Sequence, residues 1–339
     1  MRSPQGQKVF YAVLLLCIIA AVAFLAMRNP GSNGFQTALA QLAPQSKAID
    51  GERSYGYLKD ICAIGRRVSG TEGMQQQQQM LQAHFRKLGG QVSMQEWQGR
   101  HPQSGEPVNL ANMIITWHPE RKDRIVLCAH YDTRPFPDSD PQNPRGMFLG
   151  ANDGASGVAL LMELAHTMPD LQSRYGVDFV LFDAEELIFN PSRDKYFLGS
   201  EHFAREYRDR PPQHKYHYGV LLDMVADREL QLYQEINSMR WPDTRPLVRD
   251  IWATAKKMRV REFIERKRHE VRDDHLALRN IAGIPTCDII DFDYPRPGRV
   301  NYWHTEKDVP ENCSAESLQK VGSVLHTWLQ KVDRTLPPR

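Results

Sequence analysis

Between Ile125 and Glu186 the chain alternates short apolar runs with polar knots. Ile125–Cys128 and Val177–Phe182 are rich in β-branched and aromatic residues with little polar interruption, the pattern of strands buried on both faces. Each run ends at once in residues too polar for a core: His130 and Asp132 after the first, Asp183, Glu185 and Glu186 after the second. Ligands bind beyond the carboxyl ends of parallel strands in an open α/β sheet. The pattern therefore predicts a site on the rim of such a sheet.

The rest of the chain supplies the partners of these strands. Thr71 stands as an N-cap before Glu72–Leu88, whose Leu81, Phe85 and Leu88 form an apolar stripe ending at Gly89-Gly90, so a helix is expected there. Its Gln75–Gln79 run reads as a polar helix face. Val92–Trp97 and Asn109–Trp117 read as strands; Arg134–Gly150, with four prolines, reads as a loop. Gly154–Met168 carries Val158, Leu161, Leu164 and Ala165 at helical spacing. Asp153 then stands at that helix's start, as a plain N-cap or as a carboxylate oriented by the helix dipole. Tyr218–Leu222 and Ile284–Phe292 are further strands ending near acids, Asp223 in the first case and Asp288, Asp291 and Asp293 in the second. Leu318, Val321, Leu325, Trp328 and Val332 mark a C-terminal helix. The fold class expected is α/β, with a mixed, mostly parallel central sheet flanked by helices.

The N-terminus adds a membrane. Val9–Met27 is an uncharged, mostly apolar run between Lys8 and Arg28, long enough to span a bilayer. The only tidy small-residue cleavage pattern, Ala38-Leu39-Ala40, lies well beyond it, so an uncleaved signal anchor is preferred to a cleaved signal. The organisation expected is a short segment at 1–8, a transmembrane signal anchor at 9–27, a linker at 28–47 rich in Gly, Pro, Asn, Gln and Ser, and one folded domain at 48–335, placed on the extracytoplasmic side.

Composition changes little in this picture. The 339 residues are 41% apolar and 25% charged with a net charge of +2, an ordinary globular balance that gives no reason to invoke nucleic acid. Lys and Arg crowd the stretch from Arg245 to Arg272 but are interleaved with acids, which reads as a solvated helix face. Of five cysteines, Cys17 lies in the apolar run; Cys62, Cys128, Cys287 and Cys313 form no Cys-x-x-Cys pair that would suggest a structural zinc site. Oligomeric state is not legible.

The candidates for a metal are His130, Asp132, Asp153, Glu185, Glu186, Asp223, Asp273, Asp274, His275 and His304. Mixed imidazole and carboxylate donors suit Zn²⁺. Glu185 and Glu186 are adjacent at a strand end, so one can bind the metal while the other faces the substrate as a base. Each signal alone has a plainer reading, a solvated acidic turn for the Glu pair and a packed core histidine for Tyr302-Trp303-His304-Thr305.

Their order is more specific than any of them. His130-Tyr131-Asp132, Gly150-Ala151-Asn152-Asp153-Gly154, Phe182-Asp183-Ala184-Glu185-Glu186, Gly199-Ser200, Leu221-Leu222-Asp223, Asp273-Asp274-His275 and Trp303-His304-Thr305 follow one another along the chain. The set resembles the zinc aminopeptidases with a co-catalytic metal pair and their relatives, the glutaminyl cyclases, from about Gly65 to the C-terminal helix. The resemblance implies a three-layer sandwich. It implies Asp153, Glu186 and His304 as metal ligands, His130 and Asp223 as ligands of a second metal where one is bound, Asp132 as the carboxylate orienting His130, and Glu185 as general base. In the cyclase branch it further implies one zinc, Asp223 and Asp273 in a catalytic hydrogen-bonded network and Trp303 in the substrate pocket.

Between the two branches the cyclase is preferred. Leu187–Leu198 separates the Glu pair from Gly199-Ser200 by a cyclase-like length, and His130–Asp138 and Trp303 also look cyclase-like. Against it, this segment lacks the tryptophan cyclases tend to carry, with Phe189 the nearest aromatic, and the disulfide of animal cyclases is missing because Cys128 has no counterpart in the following helix. The expected activity is cyclisation of N-terminal glutamine on peptides or proteins with release of ammonia. The alternatives are a two-zinc aminopeptidase and, third, a non-catalytic binding relative.

Overall fold

The computed structural model describes residues 48–298 and 301–336. The expected anchor and linker lie outside them, and among the described residues no helix is long and apolar enough to cross a membrane. Among the described residues eight strands form, β1 (Gln91–Arg100), β2 (Pro107–Trp117), β3 (Asp123–His130), β4 (Gly176–Phe182), β5 (Lys215–Asp223), β6 (Leu232–Gln234), β7 (Phe263–Lys267) and β8 (Thr286–Ile290). Among the described residues the helices are α1 (Gly51–Ala63), α2 (Glu72–Lys87), α3 (Ala155–Leu164), α4 (Leu198–Asp209), α5 (Ile236–Arg240), α6 (Arg245–Met258), α7 (His275–Asn280), α8 (Ala315–Leu329) and α9 (Val332–Thr335).

Six strands make one sheet in the order β1-β2-β4-β3-β5-β8, and β6 pairs with β7 separately. β2 runs antiparallel to both β1 and β4, while β4, β3, β5 and β8 are mutually parallel. The sheet is thus mixed and mostly parallel, as its apolar runs predict. Every residue of β4 is buried, whereas β1 at the edge alternates between exposed and half-buried positions, the signature of a strand solvated on one face.

Two apolar layers clothe the sheet. On one face Leu127, Phe179 and Val220 pack with Leu58 of α1, Phe85 of α2, Leu161 of α3, Trp252 of α6 and Leu325 of α8. On the other, Val126, Val180 and Leu221 pack with Phe203 of α4 and Leu278 of α7. Adjacent strand residues such as Val126 and Leu127 therefore enter opposite cores, which is why these runs show no polar alternation. A Cβ at Gly157 would lie 2.2 Å from the Leu222 carbonyl oxygen, so a glycine there lets α3 lie directly against β5.

The basic stretch is corrected by the structure. It is not one solvated helix: α6 ends at Met258, Arg259 adopts φ 61°, and Val260 N–H donates to Ala255 O at 3.0 Å, a left-handed helix stop. The chain then forms β7. α6 also buries Leu247, Val248, Ile251 and Trp252; the charge count masked that apolar stripe. Cys62, Cys128, Cys287 and Cys313 are free and buried, where a thiol packs as a small hydrophobe.

Candidate metal centre

The parallel strands deliver their carboxyl ends to one rim. β3 ends at His130, β4 leads into Asp183–Glu186, and β5 ends at Asp223. Three non-glycine residues with positive φ lie in or beside the site: Ala184 (55°), Met224 (49°) and His304 (56°). Such backbone costs of order 1–3 kcal/mol each and persists only where its surroundings enforce it.

Those surroundings are visible. Asp132 accepts the backbone N–H of Glu185 at 3.1 Å and of Glu186 at 2.9 Å, which locks the turn and splays the two glutamates apart. Asp308 accepts the N–H of Asn152 at 2.7 Å and of Asp153 at 3.0 Å, and the Tyr294 hydroxyl at 3.1 Å. Gly154 follows with φ 96°; a Cβ there would stand 3.0 Å from both Asp132 O and His130 Cε1. The N-cap of α3 is this glycine, with no side-chain cap. Asp153 is therefore not a capping residue, and its carboxylate is aimed elsewhere.

It is aimed between two histidines. Asp153 Oδ1 lies 3.1 Å from His130 Nε2 and Oδ2 lies 3.3 Å from His304 Nε2. His304 Nε2 is also 2.9 Å from Glu186 Oε1, and His130 Nε2 is 3.3 Å from Asp223 Oδ1. Donor atoms of Asp153, Glu186 and His304 lie within 4.8 Å of one another, as do those of His130, Asp153 and Asp223, and those of His130, Glu185 and Glu186. All are buried, and Asp153 Oδ2 has no hydrogen-bond partner. An orphaned buried carboxylate oxygen facing an imidazole and a second carboxylate suits a divalent cation, and this donor set suits zinc.

Charge in the cluster is unevenly shared. Burial opposes ionisation of Asp153, but His130 and His304 outweigh it and hold its pKa below the usual carboxylate range. Burial also disfavours an imidazolium at His130, yet bonds to Asp132, Asp153 and Asp223 raise its pKa well above normal. Glu185, unlike Asp153, is raised strongly by burial, with Glu186, Asp274 and Asp273 adding repulsion against the opposing pull of His130. Asp223 is raised by burial and by Asp153, Asp273 by burial and by Asp223.

A cavity of about 540 Å³ opens onto this cluster, with Asp153, Glu185, Glu186, Asp223, Asp273 and His304 in its wall. Trp303 lines it too, stacked on His304 with ring centroids 3.7 Å apart and planes 25° apart. Four candidates, Asp132, Asp273, Asp274 and His275, fall outside the donor sets. His275 is buried 3.5 Å from Glu235 and 3.8 Å from Asp288, and Asp274 is buried without joining any donor set. The segment from Leu187 to Leu198 enters the cavity through Pro191, Tyr196 and Phe197. Phe189 instead packs against His101 and Phe136 and does not line it.

The sequence motifs missed a buried clamp. Arg134 Nη1 lies 3.0 Å from Glu186 Oε1, while Nε and Nη2 donate to Asp138 at 3.0 and 2.8 Å. Asp138 Oδ1 is in turn 3.6 Å from His304 Nδ1. An arginine and an aspartate four apart inside a proline-dense loop were the available signal.

Residues 112–329 match peptidase family M28. The glutaminyl-peptide cyclotransferase of Gloydius blomhoffii is 26% identical over 249 residues, and the match spans 65% of each chain. Among solved structures, the glutaminyl cyclase of Fimbriiglobus ruber superposes with a TM-score of 0.79 at 40% identity, over 84% of this chain and 96% of that one. A Zn-dependent exopeptidase from Parabacteroides distasonis superposes with a TM-score of 0.77 at 29% identity, over 84% and 99%. With the paired glutamates, the Asn-Asp-Gly turn and the shared aspartate all in place, the chain belongs to peptidase family M28.

Proposed function

We propose that this chain is a zinc-dependent glutaminyl-peptide cyclotransferase, closing the N-terminal glutamine of peptides into pyroglutamate with release of ammonia. The observation that carries the reading is the convergence of Asp153, Glu186 and His304 beside Glu185 at the cavity, in a chain 40% identical to a glutaminyl cyclase across nearly all of that structure.

Asp153, Glu186 and His304 would hold one zinc, which when bound supplies Lewis-acid polarisation of the side-chain amide carbonyl. Glu185 takes a proton from the substrate's α-amino group as that nitrogen attacks the amide carbon. It returns the proton to the departing amide nitrogen, which leaves as ammonia. One C–N bond forms as another breaks, and no water is consumed. A raised pKa suits a carboxylate that must both accept and give back a proton. Asp223 and Asp273 stand in the same wall and offer hydrogen-bond partners to the substrate's α-amino group. Trp303 offers a flat apolar face to the glutamine methylenes.

One observation favours a second reading. His130, Asp153 and Asp223 form another convergent set that shares Asp153, the arrangement a co-catalytic zinc pair needs in an aminopeptidase. Incubating the zinc-loaded protein with a Gln-initiated peptide separates the readings by mass spectrometry. Loss of ammonia is expected; loss of a residue supports the peptidase, and no change overturns both. Removing metal with a chelator abolishes the reaction, and zinc restores it.

Residues 48–335 are read as the catalytic domain, preceded by the linker at 28–47 and held by Val9–Met27 at a membrane with the site on the extracytoplasmic side. The uncharged run flanked by Lys8 and Arg28 supports this. Protease treatment of intact cells or spheroplasts tests it: the domain should be degraded, and a protected domain contradicts the topology.

A further inference from the structure

The cavity wall is acidic in its depth, and its cations are Arg134, His304 and Arg272. Arg134 is consumed by Glu186 and Asp138, and His304 by Asp153 and Glu186. Arg272 is different. It is exposed, and among the described residues it makes no ion pair or hydrogen bond. The other exposed charge beside it at the mouth, Glu270, is matched by Arg240 at 2.9 Å.

The backbone under Arg272 is pinned. Val271 N–H donates to Glu235 Oε1 at 3.1 Å, and Asn237 Nδ2 donates to Val271 O at 3.1 Å. Val271 and Asp273 are 5% and 4% exposed, so the extended segment turns Val271 and Asp273 inward and Arg272 out. The neighbour of an acid in the reaction chamber is thus an unpaired guanidinium, carried on a held backbone at its entrance.

We propose that Arg272 sets substrate preference by pairing with an acidic side chain in the first two residues after the N-terminal glutamine. The inference rests on the cyclase reading for which end of the peptide enters. With the N-terminal amine held in the carboxylate-lined depth, the following residues emerge at the mouth, since each extended residue advances the chain by about 3.3–3.6 Å. A planar guanidinium with free donors recognises carboxylates at such a site.

The test compares Gln-Glu-Glu-Ala-amide with Gln-Lys-Lys-Ala-amide on the zinc-loaded full chain in mild detergent, by ammonia release and by calorimetric binding. An exposed pair contributes little, so kcat/KM and affinity should favour the acidic peptide by about two- to five-fold, and the preference should shrink in 0.5 M salt as screening shortens to roughly 4 Å. In Arg272→Gln the ratio should fall to about one, and in Arg272→Glu it should invert. Turnover of both peptides at equal rates overturns the inference and leaves the cyclase reading standing. Turnover of neither overturns the cyclase reading, and binding then decides Arg272: acidic bias supports its role, equal or absent binding rejects it.

Discussion

Arg134 Nη1 sits 3.0 Å from Glu186 Oε1 with the arginine 1% exposed, and the same guanidinium grips Asp138, which faces His304. One buried cation thus steadies two of the three residues read as zinc ligands. Partners behind a metal ligand typically change metal affinity or activity by about 10–100-fold when lost. Arg134→Met should weaken zinc binding by that order in a chelator competition, and Arg134→Lys, which keeps the charge but not the fork, should fall between. Unaltered zinc affinity in both would show that the clamp is incidental.

Glu185 is splayed from Glu186 by the two hydrogen bonds to Asp132 and lines the cavity. Glu185→Gln keeps the shape and removes the proton carrier. Ammonia release should drop by about 10²–10⁴-fold while zinc content and thermal midpoint stay close to those of the parent. A variant retaining more than a tenth of the rate would remove Glu185 from the chemistry.

Gly154 combines φ 96° with neighbours 3.0 Å from any added Cβ. Gly154→Ala should therefore destabilise the fold by at least about 1–2 kcal/mol. Because the atoms it strikes belong to Asp132 and His130, zinc per chain should fall as well. Denaturant unfolding and metal analysis of the same sample test both, and a full zinc complement with unchanged stability would contradict the strain.

Asp291 is fully buried and raised to about 7 by burial and by Asp227, although it accepts the N–H groups of Gln231 and Asp293. A carboxyl raised in the fold keeps its proton there at pH values where the unfolded chain has lost it. The stabilisation is therefore complete below the ordinary carboxylate range and is lost as pH rises to about 7. Asp291→Asn cannot ionise, so relative to the parent it should gain on the order of 2 kcal/mol between pH 5 and 7.5, at about 1.4 kcal/mol per pH unit. Parallel urea-unfolding stabilities at the two pH values would show that Asp291 is ionised throughout.

Much of this was legible along the chain. Apolar runs such as Ile125–Cys128 and Val177–Phe182 are strands because burial on both faces removes polar alternation, and that property is local. The acids that follow them mark the rim for the same reason: a residue too polar for the core must leave the sheet. The ordered motifs narrowed the chemistry further, since Asp153, Glu186 and His304 could be picked out before any distance was known.

Other features depend on residues far apart in sequence. No periodicity reveals that Asp153 offers one oxygen to each of two histidines, because His130 and His304 meet only when β3 and the loop before α8 reach the same rim. Asp132 faces His130 Nδ1 at 3.7 Å, and its second role, accepting both backbone N–H groups of the Glu185–Glu186 turn, has no signal in the sequence. Tyr196 rather than Phe189 lines the cavity because Phe189 finds Phe136 and His101 first. The amino-acid sequence determined which side chains were available and which strands would carry them. Only tertiary packing, which sets long-range distances and the burial that prices each charge, decided which carboxylates converge, which are clamped by Arg134, and which cation is left free at the mouth.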